Sequence, residues 1–507
     1  MNKIILTTLN ARYIHSSLGL RYLHANMAEL QQQTRLIEFN ISTRAIDIAE
    51  SLLAQNAAII GFGVYIWNIH QTTEVIQLIK RISPEITIII GGPEVSYEYE
   101  QELIFTEADY LIPGQADTAF SNLCREILLQ RNPLQKVINP APVNLSEIKL
   151  PYEYYTDEDI AHRIIYVEAS RGCPFKCEFC LSALDKKVFP IELERFLDAM
   201  RMLYDRGARH FKFVDRTFNL KLSTSLKIMS FFKDKLNDEL FLHFELIPDH
   251  LPEQLKTVIN QFPENCLQFE IGIQSLDQKV QKRISRRQDN IKTEENILWL
   301  TQHSHAHIHA DLIIGLPGED ITLFAKGFDQ LVKLNPHEIQ VGILKRLKGT
   351  PVIRHTDDWD MRYNPNPPYN ILSTSVIDFM TMQRLTRFSR YWDLIANSGR
   401  FTHTLGLILA EQPFENFMLL SDWLYKKTDQ THRIALEKLF SLLHQAIIDV
   451  LKRDRKQSEE CLLLDFQRSG IKGRPRFMVQ SQPKDTCKKQ SHQKRQQQHS
   501  SNNPIAG

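Results

Sequence analysis

Cysteine is scarce in this chain: 507 residues carry seven, too few and too scattered for a disulfide scaffold. Long apolar runs are missing as well. No segment offers about 18 uninterrupted apolar residues, so no membrane-spanning helix is expected. The opening MNKIILTTLNARYIH turns polar after a short apolar run, unlike a secretory leader. Charge of one sign is not in surplus either, since 61 Lys and Arg face 60 Asp and Glu. That balance removes a whole-chain attraction to nucleic acid or to an anionic membrane. These absences point to a cytoplasmic globular protein. With 43% hydrophobic residues the chain can bury more than one core, and two or three domains are expected.

Residues 1–131 alternate β-branched runs (3–7, 35–39, 58–65, 87–90, 110–112) with amphipathic stretches near 17–30, 43–55, 69–82, 97–106 and 117–130. That alternation predicts a doubly wound, flavodoxin-like parallel α/β sheet. Ligands bind such sheets at the carboxyl ends of the strands, here marked by Asn10, Tyr65, Gly91, Gly92 and Gly114. Residues 132–158 hold Pro133, Pro140, Pro142 and Pro151 and read as a connector. A second alternating region, 159–352, has strand signals at 164–169, 211–215, 242–246, 267–273, 308–314 and 339–343. Six such units predict a partial (β/α)6 barrel with its chemistry at the strands' C-terminal ends. Residues 369–476 read as an α-rich unit, and 480–507, rich in Gln, Ser and Lys, as a disordered tail.

Three of the seven cysteines crowd together. Cys173, Cys177 and Cys180 directly follow the first strand of the second region, and three thiolates at this spacing can hold one face of a cubane while its fourth iron stays open. Structural zinc would call for four closed ligands, and no second Cys or His pair lies nearby. In this position the motif resembles that of the radical SAM superfamily. The resemblance implies a [4Fe-4S] cluster whose open iron is chelated by S-adenosylmethionine (SAM), and reductive cleavage of SAM to a 5′-deoxyadenosyl radical. It also places Phe179 beside the adenine. Asp215, in Phe213-Val-Asp-Arg-Thr-Phe218, falls where the family often grips the methionine amine with Gly-Gly-Glu. Glu270 and Ser275 match the fourth-strand element, Asp311 the fifth and Lys345 the sixth.

A doubly wound domain ahead of such a barrel resembles the cobalamin-binding domain of the cobalamin-dependent radical SAM branch. By that resemblance Asn10, Tyr65, Gly91, Gly92 and Gly114 would border the corrin, with Trp67 beside Tyr65. His15 has no aspartate two residues before it, and its following glycine comes one residue late. Cobalamin without histidine ligation is therefore expected. The branch implies a transferase that functionalises, most often methylates, an unactivated carbon of a small molecule, fed by an electron donor such as flavodoxin or ferredoxin. Non-methylating rearrangement, epimerisation or sulfur insertion is the alternative, and an iron–sulfur redox sensor without SAM cleavage is a second.

Other features read as structural. His303, His305, His307 and His309 alternate into a barrel strand without a partner carboxylate in the run. Cys124, Cys266, Cys461 and Cys487 stand apart, which leaves a single cluster. The α-rich unit, with Tyr391, Trp392, Trp423 and Tyr425 at helical spacing, is the expected cover of the barrel mouth.

Overall fold

The computed structural model describes residues 3–471 and 475, apart from 186 and 238. The expected tail and Cys487 lie outside the described residues. The first strand, β1 (Ile4–Asn10), is buried throughout. It pairs in parallel with β2 (Thr34–Asn40) and β3 (Ile59–Gly63), and β4 (Thr87–Gly91) and β5 (Tyr110–Ile112) extend the sheet. The order β2-β1-β3-β4-β5 is the flavodoxin-like one, whose switch point lies between β1 and β3. Helices α1 (Leu18–Ala25), α2 (Ala45–Leu53), α3 (Ile69–Ile82), α4 (Leu103–Glu107) and α5 (Ala119–Leu128) cover two faces with separate apolar cores. The helix expected at 97–106 shrinks to α4, because the chain after Gly92 first makes a short 3-10 turn, Pro93–Val95.

The connector docks on this sheet, with Val137 bridging Leu111 at the β5 edge. It ends in α6 (Asp157–His162), whose Thr156 and Asp159 form a capping box. Asp159 also joins a buried ion network in which Arg21 holds Glu38 at 3.0 Å and Asp159 at 2.8 Å.

The second sheet comprises β6 (Ile165–Val167), β9 (His210–Phe213), β10 (Phe241–Leu246), β11 (Leu267–Gln274), β12 (His307–Ile314) and β13 (Glu338–Ile343). The short β7 (Ser170–Arg171) and β8 (Phe189–Pro190) pair separately beside the cysteine loop. Neighbouring strands follow one another in sequence and all run parallel, as in a (β/α)6 partial barrel. The intervening helices are α7 (Leu193–Asp205), α8 (Leu222–Lys233), α9 (Glu253–Ile259), α10 (Gln278–Arg283), α11 (Asn290–His303) and α12 (Ile321–Lys333). Burial alternates strictly along β11 and β12. Leu267, Phe269, Ile271 and Ile273 are buried in the core, while Gln268, Glu270, Gly272 and Gln274 occupy the opposite, concave side.

The helical unit α13 (Phe379–Trp392), α14 (Thr402–Leu409), α15 (Pro413–Thr428), α16 (Leu436–Asp449) and α17 (Arg455–Arg468) shares one continuous core with the barrel. Phe328 of α12 meets Trp392 at 4.7 Å and Phe388 at 5.2 Å between ring centroids. Asn397 takes the place of a seventh strand against β13, donating to the Ile339 carbonyl at 3.0 Å and accepting its N–H at 3.1 Å. The free edge is thereby closed. Among the described residues this unit lies at the flank of β13, and none of it borders the two cavities described below, where a cover of the barrel mouth was expected. Its helices also begin later than expected. Ile371–Ser373 forms β15 against β14 (Arg362–Tyr363), because buried Ile371 donates its N–H to Leu344.

Candidate functional site

The carboxyl ends of the two sheets face each other across one cavity, and a second lies within the barrel. The first, about 380 Å³, is bordered by Tyr65, Gly91, Gly92 and Gly114 from the N-terminal sheet and by Ser170, Arg171 and Val214 from the barrel. Glycine makes this slot possible. Gly92 has φ +112°, and a Cβ there would meet the Val64 carbonyl oxygen at 2.5 Å. Gly114 has φ +68°, and a Cβ would stand in open space. Neither position suits an L side chain, and the aliphatic walls Leu20, Ile90 and Ile112 suit a broad planar group. Tyr65 stacks on Trp67 at 4.5 Å with 6° between the rings, and only Tyr65 of the two reaches the cavity.

Two residues singled out on the N-terminal sheet act elsewhere. Asn10 is buried and donates to the His15 carbonyl and to Glu38, each at 3.0 Å. His15 lies 2.8 Å from the Tyr166 hydroxyl and borders neither cavity. No histidine lines the first cavity among the described residues.

The second cavity, about 230 Å³, is lined by Cys173, Cys177 and Cys180 together with Phe179, Glu270, Gln274, Asp311 and Arg286. Burial pushes the Cys173 and Cys177 thiols up, so thiolates need cationic compensation. Arg286 provides part of it, donating to Cys177 Sγ at 3.6 Å. No three His, Cys, Asp or Glu side chains among the described residues converge as a single ion would require. Three thiols on one cavity fit a cluster, which takes one thiolate per iron.

The cysteine loop is anchored from within. Glu178, 2% exposed, accepts from Ser285 and Arg354 and lies 2.8 Å from His355 Nε2. Its N–H bonds to Ile284 and its carbonyl to Val352. This acidic residue inside the motif went unremarked in the sequence.

Carboxylates in the cavity are shifted in opposite directions. Burial acts to raise Glu270, yet His243 at 3.0 Å and Lys212 at 3.4 Å outweigh it and hold the carboxyl at about 2. Burial pushes Asp311 up. Its Oδ1 forms an ion pair with His309 Nε2 at 3.3 Å on the cavity wall.

Three other residues expected near SAM are placed away from the cavity. Asp215 is buried and spent on the end of β6, accepting from the Ala169 N–H at 2.9 Å and the Ser170 hydroxyl at 2.6 Å, and burial pushes it up to about 7. Ser275 is turned inward and bonds Glu319. Lys345 borders neither cavity, and its backbone bridges Asn370. The loop after it docks the domains instead, with Lys348 3.2 Å from Glu94 and Arg346 2.7 Å from Glu98.

Arg216, missed in the sequence although it follows Asp215, lines both cavities. It is held by Glu245 at 2.6 Å, and the half of its side chain that remains accessible is cavity wall.

Three family models match along the chain: the B12 binding domain over residues 4–124, the Radical SAM superfamily over 167–326 and a protein of unknown function (DUF4080) over 357–506. The first two coincide with the two facing sheets. The chain thus joins a B12 binding domain to a radical SAM domain, the pairing found in cobalamin-dependent radical SAM enzymes. Those two models imply cobalamin and SAM as its cofactors.

Among curated relatives, the cobalamin-dependent radical SAM methyltransferase TokK of Streptomyces tokunonensis is 22% identical over 335 residues, 56% of this chain and 47% of TokK. An uncharacterised methyltransferase of Pyrococcus horikoshii is 27% identical over 208 residues, 36% of this chain and 44% of that protein. The chain thus spans under half the length of these relatives. The radical SAM methyltransferase TsrM of Kitasatospora setae, solved with cobalamin and a [4Fe-4S] cluster, shares the fold at TM-score 0.55 and 16% identity, covering 69% of this chain and 77% of that one. No helix among the described residues is long and apolar enough to cross a membrane.

Proposed function

We propose that this chain is a methyltransferase that moves a methyl group from SAM to an unactivated carbon of a small molecule. The observation that carries this reading is the shared wall: the glycine-lined cavity and the three-cysteine cavity meet at Arg216. Bound there, the cofactors would supply radical and methyl-transfer chemistry.

The chain's own residues bind, orient and exclude water. Cys173, Cys177 and Cys180 would hold the cluster. Glu270, ionised throughout the physiological range, would meet the cationic amine of SAM as a charge-assisted hydrogen bond, the role first expected of Asp215. Asp311 and Phe179, on the same cavity, would lend a polar group and an apolar face. Gly91, Gly92, Gly114 and Tyr65 would border the corrin, in a cavity that no histidine lines among the described residues. An acidic flavodoxin or ferredoxin would deliver the electron.

Incubating the reconstituted, reduced enzyme with SAM carrying a labelled methyl group and a metabolite extract tests this. Label in a new carbon-bound methyl is expected. Abundant 5′-deoxyadenosine with no labelled product would favour non-methylating radical chemistry instead.

A further inference from the structure

A groove of about 770 Å³ opens on the outer side of the cysteine loop. It is walled by Phe175 and Lys176 of that loop, by Lys282 of α10, and by Arg286 and Arg287 just beyond, and no carboxylate lines it. Lys176, Lys282 and Arg287 are exposed, as is Lys279 one turn before Lys282. None of the four forms an ion pair among the described residues. A chain with net charge +1 has no general excess of cations, so this concentration is local.

The groove also lies against the cluster site. Phe175, Arg286 and Arg287 line both the groove and the three-cysteine cavity. Arg286 reaches Cys177 Sγ at 3.6 Å, so one layer of side chains separates the groove from a cluster thiol. That cavity also shares Arg216 with the first cavity, which the N-terminal sheet borders.

We propose that this groove, framed by Lys176, Lys279, Lys282 and Arg287, is the docking surface for an acidic one-electron carrier protein that reduces the cluster. The inference rests on the radical SAM reading of the barrel. In the step concerned, the carrier loses one electron and the cluster gains it, and no bond or proton changes hands. Complementary charge steers encounter and sets orientation, an effect that salt screens.

The test uses the full chain, reconstituted without air, with reduced flavodoxin as probe and bleaching of the cluster absorbance as readout. Lys279→Glu/Lys282→Glu, outside the three-cysteine cavity, is expected to slow reduction by flavodoxin at least tenfold at low ionic strength. Reduction by dithionite should be unchanged, and the wild-type rate with flavodoxin should fall as salt is added. The neutral pair Lys279→Gln/Lys282→Gln should show a smaller loss in the same direction. A charge-reversed variant that flavodoxin reduces within about twofold of wild type would overturn the docking surface alone. A wild-type chain that holds no reducible cluster would overturn the reading of the barrel, and this inference with it.

Discussion

Arg171, two residues before the first cluster cysteine, grips Asp117 of the N-terminal domain with both terminal nitrogens, at 2.9 and 3.0 Å. Its Nε donates to Glu168 at 2.7 Å, and its guanidinium lies 4.3 Å above the Tyr22 ring. Both charges are largely buried. Asp117→Ala leaves the guanidinium with Glu168 alone, so a loss of about 2–4 kcal/mol is expected. Urea denaturation of the purified variant measures it, and Asp117→Asn should fall between variant and wild type. An unchanged midpoint would show that the domains are held by other contacts.

Glu178 ties the cysteine loop to Ser285, Arg354 and His355. Removing a buried carboxylate with three partners strands them. Glu178→Ala is therefore expected to lower iron retained after reconstitution, although all three cysteines remain. Iron and sulfide analysis checks this; full iron content would mean that the loop needs no anchor.

Gly92 and Gly114 should separate fold from ligand. Gly92→Ala forces a Cβ against the Val64 carbonyl oxygen and is expected to destabilise the domain. Gly114→Leu meets open space; its positive φ costs about 1 kcal/mol, while its side chain intrudes on the first cavity. The second variant should therefore stay folded and lose cobalamin. Corrin absorbance after gel filtration, beside circular dichroism, distinguishes the two.

Burial pushes Glu319 up to about 8, from an ordinary 4.5. Between those values the folded chain holds a proton that the unfolded chain releases. The stabilisation is full below the lower value and is lost as pH rises through the upper one. Wild type should therefore lose stability relative to Glu319→Gln as pH rises from about 4.5 to 8. Parallel urea midpoints across that window would contradict the burial of an ionisable group here.

The fold was legible because its periods are clean. Isoleucine runs such as Thr87–Gly91 admit little but buried parallel strand, and strict alternation on β11 and β12 put Glu270 and Asp311 on the concave side. The three cysteines are adjacent in sequence, so their meeting needs no long-range contact. Errors fall where strands end. The register shifts between Gly272 and Gln274, and Gln274 takes φ +69°, which leaves Gln274 on the cavity and turns Ser275 to Glu319. Asp215 and Arg216 exchange roles for a similar reason, since β9 stops at Phe213 and alternation no longer governs the residues beyond it. Contacts such as Arg171 with Asp117, 54 residues apart, leave no local signal. The place of the helical unit was also hidden, because an apolar helix face shows that it is buried but not against which edge.

Anaerobic reconstitution of the full chain with iron, sulfide and hydroxocobalamin, followed by reduction and electron paramagnetic resonance with and without SAM, bears most directly on the paired cavities. One bound corrin is expected, together with a reduced [4Fe-4S] signal that shifts when SAM is added and is absent from Cys177→Ala. A chain that binds no corrin and shows the same signal with and without SAM would contradict the assignment of both cavities.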